Sequence, residues 1–238
     1  MANKSLGSSL AHGLSKRDIR ESQSRVDKFV ATVDFDRSDG KQSKTAQFNG
    51  LVKNYKTGVK EDILLEYSHG KTKKKIVTLF ILEGCDGGFL LTVVNFYKAN
   101  LYIDYMNPLW FTKHCVARLY QTFSVRSMKE FSLKHLDIFI NLAFVGISIA
   151  VQHKNKPNPE SHTKELSLWH PKAEFRTVVC GGYLSVETVI SAEAMSPIKA
   201  KKGLKQAMQD GRSLDLSFEA FLAKLNDQYV GLRSKLYK

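Results

Sequence analysis

The sequence predicts an α+β fold, with strands dominating the first two-thirds of the chain and helices the last third. Three observations point there. Four short apolar runs separated by turn clusters lie between Ile76 and Phe111, the pattern of an antiparallel meander. Ahead of them come a period-2 alternation and then a period-3.6 stripe. After Gly181-Gly182 the apolar spacing turns helical, and no alternation of strand and helix units is seen.

Each element has its own signal. Phe29, Ala31, Val33 and Phe35 alternate with Val30, Thr32 and Asp34, which predicts a strand over 28–36. DRSDGKQSK then supplies turn chemistry. Phe48, Leu51, Val52 and Tyr55 fall at i, i+3, i+4 and i+7, predicting a helix over 45–56 with Gly58 as its stop. In the meander, CDGG and KAN separate the strands IVTLFIL, FLLTVVNFY and LYIDYM, and Asn107-Pro108 turns the chain into LWF. The stretch from His114 to Lys134 mixes basic and aromatic residues without a clear period. Residues 136–151 are the most apolar run and read as one or two buried strands. His153 to His162 reads as a loop, because two prolines and many polar residues allow little else. Val186, Val189 and Ile190 predict a helix after Tyr183, and Pro197 suits the first turn of the next. Asp215 or Ser217 is placed to cap a last helix, so that helices fill most of 184–236.

Composition bounds the function. Lys and Arg total 36 against 23 Asp and Glu, a net charge of +13 with histidine neutral. Such an excess directs a protein toward polyanions, since Lys and Arg release counterions from a phosphate backbone whatever its sequence. With 43% hydrophobic residues, 14 Phe and nine Tyr, the chain has enough apolar surface for a sizeable core. Residues 1–25 read as a flexible basic tail that buries little, and 26–238 as a single domain. The first 15 residues lack the apolar core of a signal peptide, and the run 136–151 falls short of the ~20 residues of a membrane span. A cytoplasmic protein with no membrane partner is therefore expected. Cys85, Cys115 and Cys180 are odd in number and widely spaced, which points to idle thiols. The seven histidines show no ligand spacing, and no phosphate-binding loop, dinucleotide fingerprint or nucleophile elbow occurs. No metal and no cofactor are expected. Lys71, Lys73, Lys74 and Lys75 in one run, and Lys199, Lys201, Lys202 and Lys205 on a late helix, are the candidate contacts to an RNA backbone.

Two stretches narrow this further. The segment from Phe89 to Phe111 contains LLTVVNFYKANLYIDYMNPLWF, and Val178 to Val189 reads VVCGGYLSVETV. Both resemble the ribosome-inactivating proteins, the rRNA N-glycosylases: the first their central strands, the second the glycine-tyrosine step into a helix. The resemblance spans about 28–111 and 175–225. It implies that Tyr102 and Tyr183 stack on either side of a target adenine, with ribosomal RNA in the ribosome as substrate. Stacking of this kind is worth about 1–3 kcal/mol per base. It also implies a Glu-x-x-Arg pair, the carboxylate facing a developing sugar cation and the arginine the departing base. In SFEAFLAK, Glu219 matches the catalytic carboxylate, but Leu222 stands where the arginine belongs. Lys224 lies about 200° further around a helix.

Two expectations follow. The first is a divergent rRNA N-glycosylase that inhibits translation, with weak or lost activity. The second is a basic RNA-binding protein without catalysis, for example a viral movement, capsid-associated or silencing-suppressor protein, whose partner is ribosomal RNA or another RNA.

Overall fold

The computed structural model describes residues 6–32, 43–154, 164–210 and 212–214. Among them are seven strands in one mixed sheet and six α-helices. The α+β class expected from the sequence is the one observed.

The expected meander forms. β2 (Ile76–Cys85), β3 (Gly88–Tyr97) and β4 (Tyr102–Thr112) pair antiparallel through tight turns. β4 continues through Asn107-Pro108 rather than turning there. The register jumps from Leu91↔Leu109 to Val93↔Met106, so two residues of β4 oppose one of β3. A bulge is where a sheet tolerates a proline that lacks an amide donor. β1 (Ile63–His69), which the sequence reading missed, adds to the outer edge of β2.

The other half of the sheet departs from expectation. β5 (Lys164–His170), β6 (Ala173–Cys180) and β7 (Tyr183–Ser191) form a second antiparallel meander. The segment expected as a helix after Tyr183 is therefore a strand. β7 carries an extra residue at Glu187, where Val186 faces Thr177 and Thr188 faces Arg176. That insertion places the buried Val186 and Val189 three apart, which mimics helical spacing. β7 joins β4 in parallel through Leu109↔Leu184, Trp110↔Ser185 and Phe111↔Val186, giving the order β1-β2-β3-β4-β7-β6-β5.

The crossover between the halves is helical: α3 (Lys113–Phe123), α4 (Met128–Lys134) and α5 (Leu136–Lys154). The buried strands expected at 136–151 are α5. An apolar run looks alike in both states, and its length of 19 residues is what suits a helix. α5 lies close over β4 because Gly146 has no side chain: a Cβ there would collide with the carbonyl of Pro108. Among the described residues no single helix is long and apolar enough to cross a membrane. The pair α4–α5 is bent by 101°, and Phe131, Ile138, Leu142 and Ile147 lie in the core.

α1 (Ser8–Thr32) departs from two expectations, a tail that buries little over 1–25 and a strand over 28–36, of which 1–5 and 33–36 lie outside the described residues. Its inward stripe is Ala11, Ser15, Ile19 and Ser22. These fall at helical spacing, but all except Ile19 are small or polar, so they leave a weak hydrophobic signature. Small residues allow close approach, and a Cβ on Gly84 of β2 would strike Ile19 and Ser22. Ser22 Oγ accepts from Gly84 N at 2.7 Å, and Arg25 Nη2 donates to the buried Asp62 at 2.6 Å. Asp18 accepts from the Tyr120 hydroxyl and, at 2.7 Å, from Met128 N.

The sheet has two apolar faces. α1, α3, α4 and α5 share the larger core, with Phe80, Leu91, Leu109, Phe111, Phe175 and Val186. α2 (Lys44–Gly58) covers the opposite face of the first meander through Phe48 and Val52, packed with Val77, Leu79, Ile81, Val94 and Phe96. α2 is the helix expected over 45–56, stopping at Gly58. α6 (Pro197–Gln209), also expected as a helix, lies on α2's side at the far edge, its Gly203 against the Trp169 ring of β5. Trp169 alternates with the core residue Leu168, which places it on that face.

Two outcomes follow from this packing. In a solvent-facing helix Gly→Ala would stabilise by up to about 1 kcal/mol. At Gly146 the added methyl meets backbone, and overpacking costs about 1–3 kcal/mol. Gly146→Ala is therefore expected to lower unfolding free energy in urea; equal or greater stability would contradict the close α5–β4 contact. Burial raises the Asp18 carboxyl above its ordinary 3.8 despite its two donors. Its contribution to stability is present below that value and lost as pH rises through the raised folded value. Asp18→Asn keeps an acceptor that cannot ionise, so its stability should fall less than wild type between about pH 4 and pH 7. Parallel pH profiles would refute this.

Candidate polyanion-binding site

The buried stripe of α2 is flanked by a polar one at the same spacing. Asn49, Lys53, Lys56, Thr57 and Lys60 run beside Phe48, Val52, Tyr55 and Val59. Ser43 caps the helix by accepting from Ala46 N at 3.3 Å, and the Lys44 amine donates to the carbonyl of Ala99 in the β3–β4 turn. Just beyond Gly58 the chain reverses, with Asp62 N donating to Val59 O at 2.9 Å, and β1 begins. β1 is thereby laid beside α2, and the polar stripe faces the outer edge of the sheet.

An open groove of about 420 Å³ results. Its floor is Phe48, Val52, Ile63 and Val77, and its rim carries Lys53, Lys56, Lys60 and Lys75 with Asn49, Thr57 and Glu66. Glu66 is the single carboxylate of the lining and pairs with Lys56 at 2.5 Å. Among the described residues no carboxylate is paired with Lys53, Lys60 or Lys75. Four ammonium groups against one carboxylate give the groove a positively charged lining. The pair with Glu66 is half exposed and worth little to stability, so it offers weak competition to a phosphate.

Lys75 ends the β1–β2 turn, and Lys71, Lys73 and Lys74 stand exposed on that turn, continuing the cationic rim. Gly70 opens the turn at φ +89, and Lys74 N donates to Lys71 O at 2.8 Å. The lysine run foreseen in the sequence is therefore held in a defined turn. Lys53, Lys56 and Lys60 were missed, although their stripe beside an apolar one was a readable signal. Lys199, Lys201, Lys202 and Lys205 are exposed on α6. They belong to the opposite edge of the sheet and do not reach this groove.

The two tyrosines are not brought together. Leu184 pairs with Leu109, so Tyr183 stands level with Pro108, six residues along β4 from Tyr102. At about 3.3 Å per residue the two lie about 20 Å apart along the strands. They also point to opposite faces. Tyr102 shares its side with Met106 and Leu109 through the bulge, whereas Tyr183 alternates with the core residue Leu184. Both rings are exposed, 53% and 39%, but the ring beside Tyr102 is Tyr97, at a centroid distance of 5.9 Å. Glu219, Leu222 and Lys224 lie outside the described residues.

The remaining chemistry is quiet. Burial pushes the Cys85 thiol up to about 11 and Cys115 well above its ordinary value, so neither is a ready nucleophile. Among the described residues no group of three His, Cys, Asp or Glu side chains is placed to hold a metal ion. No protein-family model, curated protein or solved structure matches the chain.

Proposed function

We propose that the protein is a non-catalytic RNA-binding protein that grips the phosphate backbone in the groove between α2 and the β1–β2 edge. One observation carries the reading: Lys53, Lys56, Lys60 and Lys75 converge on one open groove that a single, already paired carboxylate enters. The exposed turn lysines Lys71, Lys73 and Lys74 extend its reach, and the net charge of +13 adds long-range attraction. Contacts of this kind set register on the backbone without reading bases. Ribosomal RNA is the candidate partner.

The N-glycosylase reading stands second. It requires a base held between Tyr102 and Tyr183, and a separation of about 20 Å along the strands leaves no such sandwich. The binding reading needs neither tyrosine.

RNA affinity should fall steeply with ionic strength. Each lost phosphate contact on a single strand changes the log–log slope by about 0.7, so replacing Lys53, Lys56, Lys60 and Lys75 together with Gln should reduce it by roughly 2–3. A slope unchanged by those replacements, measured by fluorescence anisotropy across a salt series, would place the contacts elsewhere. Intact ribosomes incubated with the protein and then treated with aniline should release no fragment. A site-specific fragment would instead establish depurination and remove the non-catalytic reading.

A further inference from the structure

The groove accounts for one of the two lysine clusters. The other occupies α6, a helix of 13 residues with four lysines and no acidic side chain. Among the described residues no carboxylate is paired with Lys199, Lys201, Lys202 or Lys205. Ala207 is buried and Gly203 is seated on Trp169, so the inward side of the helix is set. At 100° per residue Lys201, Lys202 and Lys205 then share the outward side, while Lys199, exposed in the first turn, stands about 60° from the inward direction. Asp210, just beyond the helix, is tied to Arg212 and Gln206. α6 is thus a cationic face with no built-in counter-charge, positioned by a rigid contact to the sheet.

Its place in the strand order separates it from the groove. The groove borders β1 and α6 lies on β5, at the two edges of a seven-stranded sheet. Six strand spacings amount to about 29 Å. That exceeds the screening length of about 8 Å at physiological salt several times over, so the two clusters do not act as one field. The sheet face between them carries charges of both signs rather than a lysine cluster, with Arg176 beside Glu174. It carries the carboxylates of Glu83 and Glu174, which alternate with the core residues Leu82 and Phe175 and so point to the side of α2 and α6. Glu174 is buried and is paired with Arg176 at 3.6 Å.

We propose that α6 is a second RNA-backbone site, independent of the groove, so that one molecule holds two RNA segments at once and bridges them. The proposal rests on the RNA-binding reading above and adds to it a valence of two. The cationic faces lie on one side of the sheet at its two edges, so the segments would run past opposite edges of the same molecule. Such a protein would draw together strands or hairpins that do not pair with each other.

The test uses the full chain and octauridylate labelled with either a donor or an acceptor dye. With wild type, titration should end at two oligonucleotides per protein monomer, and energy transfer should appear between the dyes. Replacing Lys199, Lys201, Lys202 and Lys205 together with Gln should lower the stoichiometry to one and abolish energy transfer. The reciprocal variant, with Lys53, Lys56, Lys60 and Lys75 replaced by Gln, should do the same. All eight positions are at the surface, and circular dichroism would confirm that each variant is folded. Energy transfer that persists in the α6 variant overturns the proposal while leaving RNA binding in place. So does a stoichiometry of one in wild type. Absence of any binding by folded wild type overturns the RNA-binding reading and the bridging with it.

Discussion

The architecture depends on a short parallel seam. Among the described residues, three pairs, Leu109↔Leu184, Trp110↔Ser185 and Phe111↔Val186, join the two antiparallel meanders into one sheet. Thr112 reinforces the seam at its end. Its hydroxyl lies 3.1 Å from the carbonyl of Glu187 and 3.3 Å from that of Val186, and it accepts from Cys115 N at 3.2 Å as the N-cap of α3. One side chain thus ends β4, starts α3 and holds β7. Parallel neighbours need a long connection, and here α3, α4, α5, β5 and β6 provide it, with the helices folding back over the strands they connect.

That geometry explains the crowding on the larger core face. α5 crosses β4 where Gly146 admits it, α3 lies along β7, and α1 fills the remaining space over β2 through Ala11, Ser15, Ile19 and Ser22. Close contact comes at the expense of buried polar groups, each of which has to be satisfied. Ser22 accepts from Gly84 and donates to Asp62, Arg25 reaches the same carboxylate, and Asp18 collects two donors. Several polar side chains of α1 that look like part of a solvated tail in the sequence are the fastenings of a helix docked on the sheet.

The face away from this core is where the positive charge is organised. α2 needs only one apolar stripe to cover the first meander, which frees the adjacent stripe to present lysines along the edge of the sheet. α6 does the same at the far edge, seated through Gly203 on Trp169. Neither cluster contributes to holding the core, so their like-charge repulsion is a stability cost with no return in packing. This is the physical ground for reading them as binding surfaces.

Local signals foretold α2, the meander of β2 to β4, the turn lysines and the overall charge, because each is written in a periodicity or a composition that a short window contains. α5, β7 and α1 escaped because their environment is long-range. α5 is apolar along most of its length, β7 hides its alternation behind one inserted residue, and α1 buries Ser22, whose partners lie 40 and 62 residues away. The separation of Tyr102 and Tyr183 had the same origin: a strand order and register, set by the β4–β7 seam, put them about 20 Å apart on opposite faces. The sequence by itself determined that this is a basic α+β protein with lysines to spare. Only the tertiary structure decided which of those lysines stand together, since side chains distant in the chain become neighbours through strand pairing and helix docking rather than through any local preference.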